Sequence, residues 1–134
     1  MRGVQIRDMN ESGHVLAVDL QHLLDLFGER ALQSRWRASK VWATGQETGE
    51  ATQELDRLAD GQTFITGEHL SRLAHRLVQV IDGEFSAFER DSDSPWVIIR
   101  AVDSSFYEVF STEPAVTDRV RASFQKVSDC DYVV

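Results

Sequence analysis

Three charged residues, Glu84, Arg100 and Glu108, are spaced so that they could meet on one face of a β-sheet. Each lies in one of three stretches that alternate like strands: residues 84–89, 96–102 and 106–111. The links between these stretches are short and rich in Asp, Ser and Pro, a composition typical of turns. Short links favour antiparallel pairing, so the sequence predicts a three-strand meander over 84–111.

The length of the second link decides whether the charges meet. If the loop is the three residues 103–105, the register places Arg100 opposite Glu108. A compatible register on the preceding strand then places Glu84 beside Arg100. A two-residue loop would instead pair Arg100 with Val109 and separate the charges. The sequence therefore predicts a Glu84-Arg100-Glu108 ladder that depends on the loop.

Such a ladder has two interpretations. An arginine held by carboxylates could form the floor of a pocket for an anionic ligand or partner. Aromatic walls would come from three residues: Trp36, Trp96 and Tyr107. The alternative is an ion pair satisfied on a solvent-facing or partly covered sheet, which contributes little to stability. Acid–base catalysis is less favoured, because the sequence gives no sign that the carboxyl groups differ in pKa.

Other chemistries find little support in the spacing of their residues. His69 and His75 are six positions apart and so point about 120° away from each other on a helix. The run 91–96 begins like a calcium loop but places Pro95 and Trp96 where a ligand and a glycine are needed. Cys130 lies between two aspartates, which disfavours a reactive thiolate. We expect no metal site and no cofactor.

The charge balance favours protein partners over nucleic acid. The chain has 14 basic and 22 acidic residues, a net charge of −8, which repels phosphate backbones. A basic cluster interleaved with Trp36 and Trp42 resembles a single-strand binding surface. Its members are Arg30, Arg35, Arg37 and Lys40. A strand whose charges are satisfied by the acidic stretch 45–60 is the simpler interpretation.

The remaining elements are mostly helices. Hydrophobic spacing and capping residues predict four of them: 19–27, 45–60, 66–78 and 113–125. Thr44 and Glu47 have the spacing of a capping box for the second. Residues 35–43 read as a further strand, and Val4–Arg7 as a short edge strand. The predicted fold is α+β, an antiparallel sheet with helices packed mainly on one face.

The chain of 134 residues fits a single domain, 1–134, with segments 1–13 and 128–134 as potentially loose ends. No stretch approaches the roughly 18 apolar residues that span a membrane, and the lone cysteine fits a reducing compartment, so we expect a cytoplasmic protein with no membrane contact. We expect a non-enzymatic protein-binding or regulatory domain that could act as a dimer. The alternative is a ligand-binding or acid–base pocket around Arg100.

Overall fold

The strands of the sheet come from the whole length of the sequence, from Arg2 to Asp131. The computed structural model describes residues 1–45 and 49–133. Within them, seven strands pair in the order β3-β2-β4-β5-β6-β1-β7, each pair antiparallel. The strands are β1 Arg2–Ile6, β2 Arg35–Gly45, β3 Ile65–Thr66, β4 Leu77–Phe88, β5 Val97–Val102, β6 Phe106–Phe110 and β7 Val127–Asp131.

In the described part of the chain, five helices lie between these strands in sequence. They are α1 Leu20–Phe27, α2 Glu29–Gln33, α3 Glu50–Asp60, α4 Gly67–His75 and α5 Pro114–Ser123. The predicted α+β class and the antiparallel sheet with helices packed on it are confirmed. The short helix α2 was not predicted. It begins directly after Gly28, whose φ of 60° turns the chain at the end of α1.

The helices cover one face of the sheet. Register aligns Ala38, Phe85, Ile99, Val109 and Val4 across five strands, and all five are buried in one hydrophobic cluster with the inward residues of the helices. Because side chains alternate along a strand, the neighbouring positions point to the opposite face. Among the described residues, the helix side chains pack in this cluster with the first face of the sheet and not with the opposite one. We call it the helix-free face.

A buried carboxylate ties α1 to this core. Asp19 precedes α1, and its backbone N–H donates to His22 Nδ1 at 2.9 Å. Its side chain accepts from the Tyr107 hydroxyl on β6 and from the Val80 N–H on β4, at 3.2 Å in the second case. Burial, with the charge of Asp19 next, raises the pKa of Tyr107 well above its usual value. One side chain thus joins the helix layer to two strands.

The predicted helix 66–78 ends too late. The structure ends α4 at His75, and residues 77–88 form the long strand β4. Leu77 and Ile81 continued the helical spacing, but the run contains the β-branched Val78 and Val80, which favour strands. Asp82-Gly83, a dipeptide typical of turns, therefore lies inside the strand. The predicted helix 45–60 likewise begins only at Glu50, because β2 extends to Gly45.

Segments near both ends of the described chain belong to the sheet. The sequence predicts an edge strand at Val4–Arg7 and an end that could be loose at 128–134. β1 is an inner strand between β6 and β7, and β7 forms the edge. Glu47, the second member of the predicted capping box, lies outside the described residues.

Gly67 at the start of α4 tests the packing of the helix layer. A Cβ atom there would overlap the carbonyl oxygen of Ala31 and approach that of Leu32 to 2.6 Å, and both belong to the backbone of α2. We expect Gly67→Ala to lower the free energy of unfolding by about 3 kcal/mol, the upper range for overpacking. Urea denaturation measures it. Gly61→Ala is the control, because Gly61 has a helical φ of −76°. Equal losses in the two variants would contradict the packing argument.

Candidate functional site

The helix-free face carries the predicted ladder. Arg100 on β5 pairs with Glu84 on β4 and with Glu108 on β6. Arg100 Nη2 and Nε donate to Glu84 Oε1 at 2.8 and 3.2 Å, and Nη1 lies 3.6 Å from Glu108 Oε1. The register expected for a three-residue loop, 103–105, is the one observed. We call these three residues the charged ladder.

The charged ladder is only partly open to solvent. Side-chain exposure is 20% for Arg100, 26% for Glu84 and 12% for Glu108. Burial lowers the pKa of the Arg100 guanidinium, but the hydrogen bond and charge of Glu84, followed by Tyr132 and Glu108, outweigh it, and the net pKa is raised. Arg100 is therefore a permanent cation with its nearest carboxylates in place.

Tyr132, which follows β7, completes the site, and no pattern in the sequence indicates its role. Its hydroxyl donates to Glu84, 3.0 and 3.1 Å from the two carboxylate oxygens. The Arg100 guanidinium carbon lies 4.5 Å from the centre of its ring, a cation–π contact. The ring meets Phe110 edge to face, with 5.1 Å between centroids. Burial, then the bond to Glu84, raises the pKa of Tyr132, so the phenol stays a donor.

Gly3 on β1 leaves room for the contact between Phe110 and Tyr132. It pairs with Phe110 on one side and with Cys130 on the other. A Cβ at Gly3 would collide with the Phe110 ring. The missing side chain leaves Phe110 room to lean across β1 toward Tyr132. Since Tyr132 stands beyond the edge strand and still reaches Glu84 on β4, the helix-free face is concave.

A cleft of about 730 Å³ occupies this concave face beside the charged ladder. Val102, Phe106 and Val133 supply apolar wall, and Lys40 and Asp82 supply charge. Lys40 sits in a break of register between Ser39 and Trp42. Its φ of 52° is left-handed, the kind of distortion found at β-bulges. The carboxylates of the lining outnumber its cations by three to two.

The three aromatic residues proposed as walls are elsewhere, which corrects the prediction. Trp36 and Tyr107 are buried on the helix-covered face, where the Trp36 indole donates to the Ala31 carbonyl at 3.0 Å. Tyr107 precedes Glu108 on the same strand, so alternation alone places it opposite. Trp96 stands just before β5 and turns into the core, donating to Ser34 Oγ at 2.9 Å. None of the three lines the cleft.

Cys130 is the second contributor that the sequence did not indicate. Burial, then the negative charge of nearby Glu108, raises the pKa of the Cys130 thiol to about 12. The thiol is therefore neutral beside the charged ladder. Asp82 Oδ1 accepts from the Asp103 N–H at 2.8 Å, which ties β4 to the loop between β5 and β6.

The histidines lie apart from this face. His69 Nε2 is 3.2 Å from Glu54, and His75 Nε2 is 3.1 Å from Asp25. In residues 1–45 and 49–133, no three His, Cys, Asp or Glu side chains converge as metal ligands would.

Comparisons with protein-family models, with curated proteins and with solved structures gave no match. No helix in the described part of the chain has the length and apolar character needed to cross a membrane.

Removing Arg100 tests the charged ladder. Arg100→Leu leaves Glu84 and Glu108 facing each other without a cation. We expect a loss of about 2 kcal/mol in the free energy of unfolding, below the roughly 3–5 typical of fully buried pairs because the ladder keeps some water. The triple variant Arg100→Leu, Glu84→Gln, Glu108→Gln should recover more than half of that loss, since it removes the repulsion. A triple variant as unstable as Arg100→Leu would refute the electrostatic account.

Alkylation of Cys130 reports on the same site. Because the folded pKa is about 12, the thiol is almost wholly protonated at pH 8, and iodoacetamide should react roughly 1000-fold more slowly than in the urea-unfolded chain. Glu108→Gln removes a charge that raises this pKa and should speed the reaction. Asp131→Asn, the matched neutralisation of a weaker contributor, should speed it less. The reverse order would show that Glu108 does not contact the thiol in solution.

Proposed function

We propose that this chain is a non-enzymatic protein-binding domain whose helix-free face receives a positively charged side chain of a partner protein. The observation that carries the proposal is the cleft of about 730 Å³ beside the charged ladder, in which carboxylates outnumber cations. A concave face with apolar wall and a few fixed polar groups is the usual form of a binding site.

Electrostatics favours a cationic group in the cleft. Asp82, Glu84 and Glu108 stand against Lys40 and Arg100, and the whole chain carries −8. Partial burial of the ladder weakens the screening of these charges by salt. The field of the chain would also steer a basic partner toward this face from a distance.

The anionic ligand first expected for Arg100 is less suited to this geometry. Three of the guanidinium nitrogens already face Glu84 or Glu108, and its flat side is stacked on Tyr132. An incoming anion would have to displace a carboxylate and then lie close to it. Arg100 instead binds Glu84 and lies beside Glu108, and both glutamates line the cleft.

A small molecule carrying an amine is the second candidate for the same cleft. A volume of about 730 Å³ lies within the ordinary range of ligand pockets. Such a ligand would use the same carboxylates and the apolar residues Val102 and Phe106. It would raise the melting temperature of the isolated chain by mass action, with no partner protein present.

Capture from a lysate of the native host, at low and high salt, tests the proposal. The bait is the chain itself beside Val102→Lys, which places a lysine of its own in the cleft. The control bait is Ala122→Lys, which adds the same charge at an exposed position of α5. We expect a stoichiometric partner with the native chain and with Ala122→Lys, and at least tenfold less with Val102→Lys. Capture should weaken at high salt because salt screens the long-range attraction between the acidic chain and a basic partner.

The outcomes separate the two candidates. Equal capture by both lysine variants would place the binding surface elsewhere and refute the proposal. No captured partner, together with a melting temperature raised by an amine in the native chain but not in Val102→Lys, would establish the small-molecule alternative. Circular dichroism of each variant confirms that the bait is folded.

A further inference from the structure

Two arginines of β2 share one aromatic ring at the other end of the helix-free face. The guanidinium carbons of Arg35 and Arg37 each lie 4.2 Å from the centre of the Phe64 ring. The two positive charges are therefore held within twice that distance of each other. Phe64 in turn meets Phe88 edge to face at 5.7 Å. We call Arg35, Arg37 and Phe64 the arginine clamp.

The charges of the arginine clamp are not neutralised by residues 1–45 and 49–133. No carboxylate oxygen there lies within 4.0 Å of either guanidinium, and the one hydrogen bond is from Arg35 Nη2 to the carbonyl of Ser92, at 2.9 Å. Arg30, only five positions earlier, shows the contrast. It is held by Glu113 at 2.7 Å and Glu89 at 2.9 Å.

Like charges held on one ring repel each other, so a complementary group would lower the energy of the arrangement. Stacking uses the flat sides of the guanidinium groups and leaves the N–H donors at their edges available. Those edges fit a carboxylate or phosphate, which accepts two parallel hydrogen bonds. Arg37 is exposed, and Phe64 keeps 38% of its surface open, so the clamp is accessible.

We infer that the arginine clamp is an oxyanion-binding site, which takes a carboxylate or phosphate group. It lies on the same face as the cleft, because Arg37 and Ser39 are alternate residues of β2 and Ser39 pairs with Glu84. The two places have opposite charge and share no residue. A protein segment that crosses the face would therefore place an acidic group at the clamp and a basic one in the cleft.

Single-stranded nucleic acid fits the clamp less well, although the sequence places Arg30, Arg35, Arg37 and Lys40 near two tryptophans. Trp36 is buried and Arg30 is neutralised, so neither can stack on a base or meet a phosphate. Of the two tryptophans only Trp42 is exposed, and base stacking along a strand needs several exposed rings. A net charge of −8 also opposes a polyanion.

Side-chain NMR of the arginine Nε–H groups tests the inference directly. The chain is titrated at constant ionic strength with inorganic phosphate, with a blocked tetraglutamate peptide and with an octathymidylate. We expect the resonances of Arg35 and Arg37 to move and saturate with phosphate or with the peptide. Arg119, an exposed arginine of α5, is the internal control and should not saturate. The tighter of the two ligands shows whether a phosphate or a peptide carboxylate is the better source.

Two variants complete the test. Arg37→Gln removes one charge, and Phe64→Ala removes the shared ring while leaving both charges, and each should weaken binding at least fivefold. Arg119→Gln should leave it unchanged. Equal response of Arg119, lack of saturation with both oxyanions, or tightest binding of the oligonucleotide would overturn the inference. Since no cleft residue is altered, failure here leaves the cleft proposal standing, and Val102→Lys should not affect oxyanion binding.

Discussion

The burial of one sheet face under the helices fixes where every other side chain of the sheet must lie. Ile99 and Val109 belong to the core, so their neighbours Arg100 and Glu108 are forced onto the helix-free face. A slip of β6 by one residue against β5 would turn Glu108 into the core and leave Arg100 on the helix-free face without that partner. Burying the unpaired carboxylate would carry a large desolvation cost. The hydrophobic core therefore specifies the charged ladder as strictly as any contact between the charges themselves.

The same alternation explains which parts of the site were predictable from sequence. A three-residue loop and a count of two residues along each strand sufficed to pair Arg100 with Glu84 and Glu108. Alternation also excluded Tyr107 from that face, and the expectation that it formed a wall ignored the rule. Trp96 was harder to place, because it stands outside β5 and is not bound by the strand's parity.

What could not be predicted depends on contacts between distant parts of the chain. The position of β1 between β6 and β7 brings Tyr132 to Glu84, residues 48 apart, and no local pattern encodes that pairing. The prediction of the boundary between α4 and β4 was wrong for a local reason, since Leu77 and Ile81 fit both the helical and the strand periodicity. The α+β class was robust to both errors, because it depends only on the number and order of amphipathic segments.

The two arginine sites of the helix-free face differ in what their donors are free to do. Arg100 and Arg37 are both stacked on aromatic rings, at 4.5 and 4.2 Å. Arg100 donates hydrogen bonds to Glu84 and lies beside Glu108, and the cleft next to it is lined by more carboxylates than cations. Arg37 has no such partner among the described residues and presents its charge outward. On the two proposals made above, a face that is acidic in its cleft and basic near its edge would select a partner by the order of its charges and disfavour chains that match only one of the two sites.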